Sequence, residues 1–305
     1  MALEDHLLTE ALNPLSTSID RLTASQVVEL MNTEDAKVVA AVHAESDRIA
    51  RAIEHVAERF QRGGRLIYVG AGTSGRLGVL DASECPPTFG VPAEMVVGII
   101  AGGRVALTRA VEGAEDDVEQ GAIDLRDVHV TKDDFVMGIA TSGRTPYVLG
   151  AIAEAKRVGA YTAGLACNRP SLLGEAVDLE IAPLVGPEVL AGSTRLKAGT
   201  ATKLILNMIT TGAMIRIGKT YGNRMIDVQP TNEKLKIRIR RILREIAEID
   251  DASATDLLIR SDWKLKTAVV AALAGVEPRE AITLLHAHGG QVHAAVLARP
   301  QESPR

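Results

Sequence analysis

Two short stretches of this sequence share the residues Thr-Ser-Gly-Arg, and each stretch follows an apolar run. The first copy occupies residues 73–76, after the apolar run 66–69 and a glycine-rich turn. The second copy occupies residues 141–144, after the apolar run 135–139. Glycines let a backbone approach a ligand closely, hydroxyls bond to anions, and free N–H groups at a helix N-terminus favour a phosphate. The doublet therefore predicts one anion held between two strand ends.

The first copy was tested against two common phosphate-binding motifs. Its glycines, Gly70, Gly72 and Gly75, have the spacing of a dinucleotide-binding turn, but no acidic residue ends a second strand about 20 residues later. No lysine follows the glycines, so the stretch is not the phosphate loop of nucleotide hydrolases. A lone turn of this kind can be a simple strand-to-helix connection. The second copy is what favours a binding site.

A third stretch, residues 186–203, precedes an apolar helix that the pattern predicts for 204–217. Glu188, Arg195 and Lys197 lie there among small residues. The two cations could neutralise an anionic ligand, or they could pair only with Glu188. The complete set of residues predicted to contact a ligand is Thr73, Ser74, Gly75, Ser142, Gly143, Thr145, Arg195 and Lys197.

Two glutamates could supply acid–base chemistry. Glu84 is followed by prolines at 86 and 87, which predict that a helix ends there, and apolar neighbours predict partial burial that would raise its pKa. Glu115 lies in the acidic stretch 111–117. Two carboxylates in different environments can divide proton donation and abstraction between them. The residues alone favour another interpretation of Glu115, a charged helix N-terminus stabilised by the helix dipole.

Alternating strands and helices must position these residues. Such alternation predicts right-handed crossovers, a mostly parallel sheet, and a ligand site beyond the carboxyl ends of the strands. We predict a doubly wound α/β fold with a five-stranded sheet, an N-terminal helical arm and a small C-terminal helical bundle. The three-helix spacing of this bundle, with its His288-Gly-Gly290, resembles a ubiquitin-associated domain. The predicted strands are 66–69, 95–99, 135–139, 161–165 and 179–182. The predicted helices among them are 75–83, 105–111, 118–124, 147–158 and 172–176.

The predicted boundaries are 1–62 for the arm, 63–230 for the sheet domain, 231–249 for a connecting helix, 250–298 for the bundle and 299–305 for a disordered tail.

Composition narrows the class of function. The chain has 305 residues, of which 46% are hydrophobic and 3% aromatic, and a formal charge of −5, which argues against general nucleic-acid or membrane binding. No apolar run approaches 18 residues, and no export leader opens the chain. The two cysteines and seven histidines suggest no metal site, and no cofactor is expected. A reducing cytoplasm is the predicted location.

Several motifs together resemble known proteins. The Thr-Ser-Gly-Arg doublet resembles the sugar isomerase (SIS) domain, which binds phosphosugars. The blocks at 70–76, 81–87, 111–116, 141–147, 192–200 and 231–235 look like N-acetylmuramic acid 6-phosphate etherase. The opening Thr9-Glu10 with Asn13-Pro14 is similar to the N-terminal arm of that family, so the resemblance extends from about residue 8 to 298. Leu12 and Leu196 depart from the family pattern, but neither is a proposed catalytic group.

This resemblance implies a carbon–oxygen lyase that releases D-lactate from N-acetylmuramic acid 6-phosphate in cell-wall amino-sugar recycling. It implies elimination followed by hydration, with Glu84 as the acid that protonates departing lactate and Glu115 as the second acid/base. Which glutamate removes the C2 proton stays open. A homodimer is expected from the family. The alternatives are a phosphosugar isomerase and a non-catalytic phosphosugar-sensing regulator.

Overall fold

The computed structural model describes residues 7–228, 230 and 232–298. The predicted disordered tail at 299–305 lies outside these residues. Contacts divide the chain into two compact units: the first comprises residues up to 83 and 93–211, and the second comprises 84–92 and 212 onward. No helix in the described part is long and apolar enough to cross a membrane.

The first unit is built on a parallel sheet. Its strands are β1 (Leu66–Gly70), β2 (Val96–Ile100), β3 (Phe135–Ile139), β4 (Tyr161–Leu165) and β5 (Leu179–Ile181). Their order is β2-β1-β3-β4-β5, and Leu66 aligns with Val96 on one side and Phe135 on the other. Every residue of β1 and β3 is buried, as expected of a parallel sheet covered on both faces. The predicted α/β class and five-stranded sheet are confirmed.

Eight helices of the described chain begin in the first unit. They are α1 (Ala24–Asp35), α2 (Lys37–His43), α3 (Ser46–Gln61), α4 (Gly72–Phe89), α5 (Val118–Asp127), α6 (Pro146–Arg157), α7 (Leu172–Ala176) and α8 (Lys197–Arg216). Thr23 and Gln26 form a capping box that starts α1. The predicted helix at 105–111 is wrong, because the chain forms only a short 3₁₀ turn at Gly103–Leu107.

The prolines after Glu84 do not end helix α4, contrary to expectation. Pro86 and Pro87 lie inside the helix, which continues to Phe89. They remove the N–H donors that would bond to the Ala82 and Ser83 carbonyls, and Ser83 is exposed, so solvent can hydrate its carbonyl. The helix ends at Gly90, whose φ of +63° is left-handed and whose N–H bonds to the Pro86 carbonyl (2.9 Å).

The second unit is mainly helical. A short hairpin of β6 (Thr220–Tyr221) and β7 (Arg224–Met225), which the sequence did not predict, precedes five helices. These are α9 (Glu233–Ala247), α10 (Asp251–Arg260), α11 (Leu265–Ala274), α12 (Pro278–Ala287) and α13 (Val292–Leu297). Asn232 caps α9 by accepting a hydrogen bond from the Leu235 N–H (2.9 Å). Apolar faces of all five helices share one core, in which Ile239, Leu258 and Val269 are fully buried.

Candidate active site

The order of the strands defines where a ligand can bind in the first unit. The chain moves from β1 to β2 in one direction and from β3 through β4 to β5 in the other, so the order reverses between β1 and β3. Ligands of open α/β sheets occupy the crevice at such a switch point, outside the carboxyl ends of the strands. The two Thr-Ser-Gly-Arg sequences follow β1 and β3, and therefore flank this crevice.

The first sequence forms the start of helix α4 rather than a loop before it. Since α4 begins at Gly72, Thr73 and Ser74 lie in its first turn, and the N–H of Gly75 makes an early helical bond to the Ala71 carbonyl (3.2 Å). The N–H groups of Gly72, Thr73 and Ser74 come before the first helical bond of α4, so they can bind an anion. Gly75 itself is buried, and a Cβ there would lie 2.7 Å from the Gly70 carbonyl oxygen. Its absent side chain thus permits close packing of strand and helix.

The second sequence forms a tight turn between β3 and α6. Gly143 has a φ of +74°, and its N–H donates to the Ala140 carbonyl (2.7 Å). A Cβ at Gly143 would lie 2.4 Å from Ser171 Cβ, so only glycine fits without a shift. Thr145 begins α6 without a side-chain capping bond. The hydroxyls of Ser142 and Thr145 flank this fixed turn.

One cavity brings several of the predicted residues together. It has a volume of about 560 Å³ and is lined by Glu10, Glu115, Asp116, Ser142, Arg144, Thr145 and Pro146. A smaller cavity of about 230 Å³ adjoins the end of β1 and the first turn of α4, and Glu115 lines it as well. Glu115 is exposed on a 3₁₀ turn at Ala114–Asp116, outside α5. The carboxylate therefore faces the space bordered by both loops, and it is Asp117 that caps α5 (2.9 Å to the Gln120 N–H).

Glu84 is exposed on helix α4, so the partial burial expected from its neighbours is not found. The buried carboxylate of this block is Asp81. It accepts hydrogen bonds from the Tyr68 hydroxyl (3.0 Å), the Asn207 amide (2.6 Å) and the Thr210 hydroxyl (3.3 Å). Burial raises the pKa of Asp81 despite these three donors. This network ties α4 to β1 and α8.

The third stretch is arranged differently from the prediction. Helix α8 begins at Lys197, seven residues before the predicted start at residue 204, and the buried carboxylate of Glu188 accepts its first N–H groups, those of Lys197 and Ala198 (both 3.0 Å). Burial raises the pKa of Glu188, and these backbone donors oppose that shift. The N-terminus of α8 is thus already occupied by a protein carboxylate.

The side chain of Lys197 does not face the loops. Its ammonium bonds to Glu34 Oε2 at 2.6 Å, and both side chains are only 2% exposed. Burial disfavours the charge of Glu34, but bonds from Lys197, Lys37 and Asn13 outweigh it and lower the Glu34 pKa to about 2. We therefore correct the sequence assignment: Lys197 is the partner of a buried acid, because its charge has no access to a ligand.

The third stretch reaches the first loop at the start of α8. Arg195 is exposed in the turn before α8 and stays a predicted contact. A Cβ built on Gly199 would lie 3.7 Å from Thr73 Cγ2, so the first turn of α8 adjoins the first turn of α4.

Sequence reasoning missed Glu10, Glu34 and Asp81 as members of this region. Glu10 and Asp81 both lie in blocks that carried the family resemblance, which was a signal available in the sequence. Glu34 lies in Glu34-Asp35, which is also similar to the N-terminal arm of the family, but its ion pair with Lys197 joins residues 163 positions apart and could not be read locally.

The fold and the cavity define a class of protein. A parallel sheet with serine- and threonine-bearing loops at its switch point is the arrangement of a phosphosugar-binding SIS domain, and a family model described as the glucokinase regulatory protein N-terminal SIS domain matches residues 48–156. The chain is 55% identical to N-acetylmuramic acid 6-phosphate etherase of Rhodopirellula baltica over 298 residues, 98% of each chain. It is 51% identical to the Photorhabdus laumondii protein of the same name over 96% of this chain and 98% of that one. The chain belongs to the N-acetylmuramic acid 6-phosphate etherase family, which confirms the resemblance seen in the sequence.

Among solved structures, a phosphoheptose isomerase from Neisseria gonorrhoeae aligns with a TM-score of 0.49 and 15% identity. The alignment covers 63% of this chain and 98% of that one. In the part of the chain that the structure describes, no group of three His, Cys, Asp or Glu side chains could hold a metal ion.

Proposed function

We propose that this protein cleaves the D-lactyl ether of N-acetylmuramic acid 6-phosphate, giving N-acetylglucosamine 6-phosphate and D-lactate. The observation that carries the proposal is the cavity in which Glu115 joins the hydroxyls of Ser142 and Thr145 at the switch point. Near-complete alignment with relatives that bear the etherase name supports the same activity. The role is the release of a recyclable amino sugar from a cell-wall fragment.

The phosphate belongs at the first turn of α4. The leading N–H groups of α4 carry the positive end of a helix dipole, and the hydroxyls of Thr73 and Ser74 lie in the same turn. Arg195 adds a positive charge, and Ser142 and Thr145 of the second loop contact the sugar. The α8 N-terminus takes no part, because Glu188 already binds its N–H groups.

The chemistry begins from the open-chain aldehyde of the sugar. The aldehyde acidifies the proton at C2, whose removal expels lactate from C3, and water then adds to the C2–C3 double bond. An ether oxygen leaves readily only when it is protonated as the bond breaks. In this proposal Glu84 protonates the departing lactate oxygen, and Glu115 acts as the second acid/base and activates the added water.

Proton NMR in deuterated water tests this reaction directly. We expect the purified protein to release D-lactate from N-acetylmuramic acid 6-phosphate and to leave deuterium at C2 of the N-acetylglucosamine 6-phosphate formed. Elimination requires C2 to lose its proton and regain one from solvent, whereas direct displacement at C3 does not. C2 exchange without lactate would favour an isomerase, and binding with neither change would favour a sensor.

We also propose that the protein works as a homodimer in the cytoplasm. Four large apolar side chains near the N-terminus are exposed: Leu12 (78%), Leu15 (59%), Val28 (59%) and Val39 (67%). We propose that a second copy of the chain covers these side chains. Both cysteines are buried, and a chain with only two cysteines suits a reducing compartment. Sedimentation equilibrium should give twice the 32.4 kDa chain mass, and a single-chain mass at micromolar concentration would refute the dimer.

A further inference from the structure

The N-terminal segment, residues 7–16, is held against the first unit by buried hydrogen bonds. The carbonyl of Thr9 accepts a hydrogen bond from the Gly192 N–H (3.3 Å). The Thr9 hydroxyl, which is buried, accepts another from the Asn168 amide (3.2 Å). The segment is therefore fixed on one side of its next residue, Glu10.

A second anchor lies four residues further along. Asn13 is buried and donates its side-chain amide to Glu34 Oε2 (2.9 Å) and to the Pro187 carbonyl (3.1 Å). Its own side-chain oxygen accepts a bond from the Leu15 N–H (2.9 Å). Because both ends are fixed, the backbone at Glu10 has little freedom to move.

Glu10 projects from this fixed segment into the cavity that Glu115 and the second loop line. Its Oε2 would lie 3.4 Å from a Cβ built on Gly192, so the carboxylate extends over a residue that has no side chain. Within residues 7–228, 230 and 232–298, no side chain donates a hydrogen bond to this carboxylate. An exposed acid with an anchored backbone is available to a ligand.

The charges of the cavity indicate which part of a phosphosugar faces Glu10. Among the lining residues that the structure describes, Glu10, Glu115 and Asp116 supply three carboxylates, against one guanidinium, that of Arg144. A phosphate is repelled by such a set, whereas sugar hydroxyls donate to carboxylates. The phosphate end therefore lies toward the α4 N-terminus, and the hydroxyl-bearing end faces the acids.

We propose that Glu10 binds the anomeric end of the sugar and carries the proton that ring opening must move. This step rests on the proposed function, since elimination needs the open-chain aldehyde. The Glu10 carboxylate accepts the proton of the O1 hydroxyl as the C1–O5 bond breaks and C1=O1 forms. The resulting acid returns that proton to O5. Atoms and charge balance without any other reactant, and the reverse sequence closes the ring of the product.

Anomer exchange of N-acetylglucosamine 6-phosphate measures this step apart from ether cleavage. Two-dimensional exchange NMR gives the rate at which the α and β anomers interconvert. We expect the wild-type protein to accelerate the exchange, and Glu10→Gln to slow the catalysed rate by about 100-fold, within the usual range for a lost general acid/base. Glu10→Asp should restore part of the rate, because it keeps a carboxylate. Glu29→Gln, an exposed acid on α1, is the matched control and should exchange like wild type.

The outcomes separate this step from the proposed function. If wild type releases lactate but does not accelerate anomer exchange, or if Glu10→Gln exchanges anomers at the wild-type rate, the role of Glu10 is overturned while the etherase stands. A Glu10→Gln variant that no longer binds N-acetylglucosamine 6-phosphate in calorimetry also overturns proton transfer, since Glu10 is then a binding group only. Accelerated exchange without lactate release by wild type contradicts the etherase alone.

Discussion

Glu84→Gln and Glu115→Gln should each lower kcat for product formation by about 10²–10⁴-fold, the usual contribution of a positioned general acid or base. The amide keeps the size of each side chain but cannot carry the proton. Both side chains are exposed, so the substitutions should leave the free energy of unfolding nearly unchanged. The measurement is steady-state release of D-lactate and of N-acetylglucosamine 6-phosphate, quantified separately.

The two variants should fail at different points. Glu84→Gln lacks the acid for lactate departure and should release little lactate. Glu115→Gln lacks the group that activates water, and should accumulate the unsaturated aldehyde, seen by its ultraviolet absorbance. If one variant still exchanges the C2 proton for deuterium, the glutamate that this variant retains is the group that removes the proton. The controls are Glu94→Gln and Glu119→Gln, two exposed acids near the respective sites in sequence. Wild-type product formation by either active-site variant would contradict its proposed role.

Lys197→Met should destabilise the protein by about 3–5 kcal/mol, because it leaves the buried carboxylate of Glu34 without its main countercharge. The two side chains are 2.6 Å apart and almost fully buried. Lys37 also bonds to Glu34, but its side chain is 54% exposed, so Lys37→Met should cost about 1 kcal/mol or less. Urea unfolding at pH 7 measures both free energies.

A double-mutant cycle separates charge from packing at this pair. Glu34→Gln combined with Lys197→Met removes both charges, and should recover part of the stability that Lys197→Met alone loses. If Lys197 instead served the substrate, Lys197→Met would raise KM and leave the unfolding curve in place. That result would contradict the structural assignment.

The sheet could be predicted from the sequence because its strands are short apolar runs bounded by glycine or polar residues. Strands β3 and β4 match their predicted bounds. Helix ends were harder. Pro86 and Pro87 signal a stop locally, but the helix continues to the left-handed Gly90. Proline lowers the stability of a helix, and tertiary packing around α4 outweighs that local cost.

The candidate site was predictable where it rests on local sequence. The loop that carries Ser142 and Thr145 follows strand β3 directly, so its position at the edge of the sheet follows from the topology. The orientation of Lys197 did not follow, since its partner Glu34 is 163 residues away. Glu10 enters the cavity only because Thr9 and Asn13 bind distant loops, and no local pattern encodes such contacts.

The anchors of the N-terminal segment also set an order for folding during synthesis. Thr9 bonds to a residue 159 positions later and Asn13 to one 174 positions later. At translation rates of about 5–20 residues per second, those partners emerge roughly 8–35 s after the segment itself. Thr9 and Asn13 are thus fixed later than the strands that follow them in the sequence. Strands β1 to β4 can pair before Glu10 has a place to dock, so the acidic side of the cavity is completed only after Gly192 has been made.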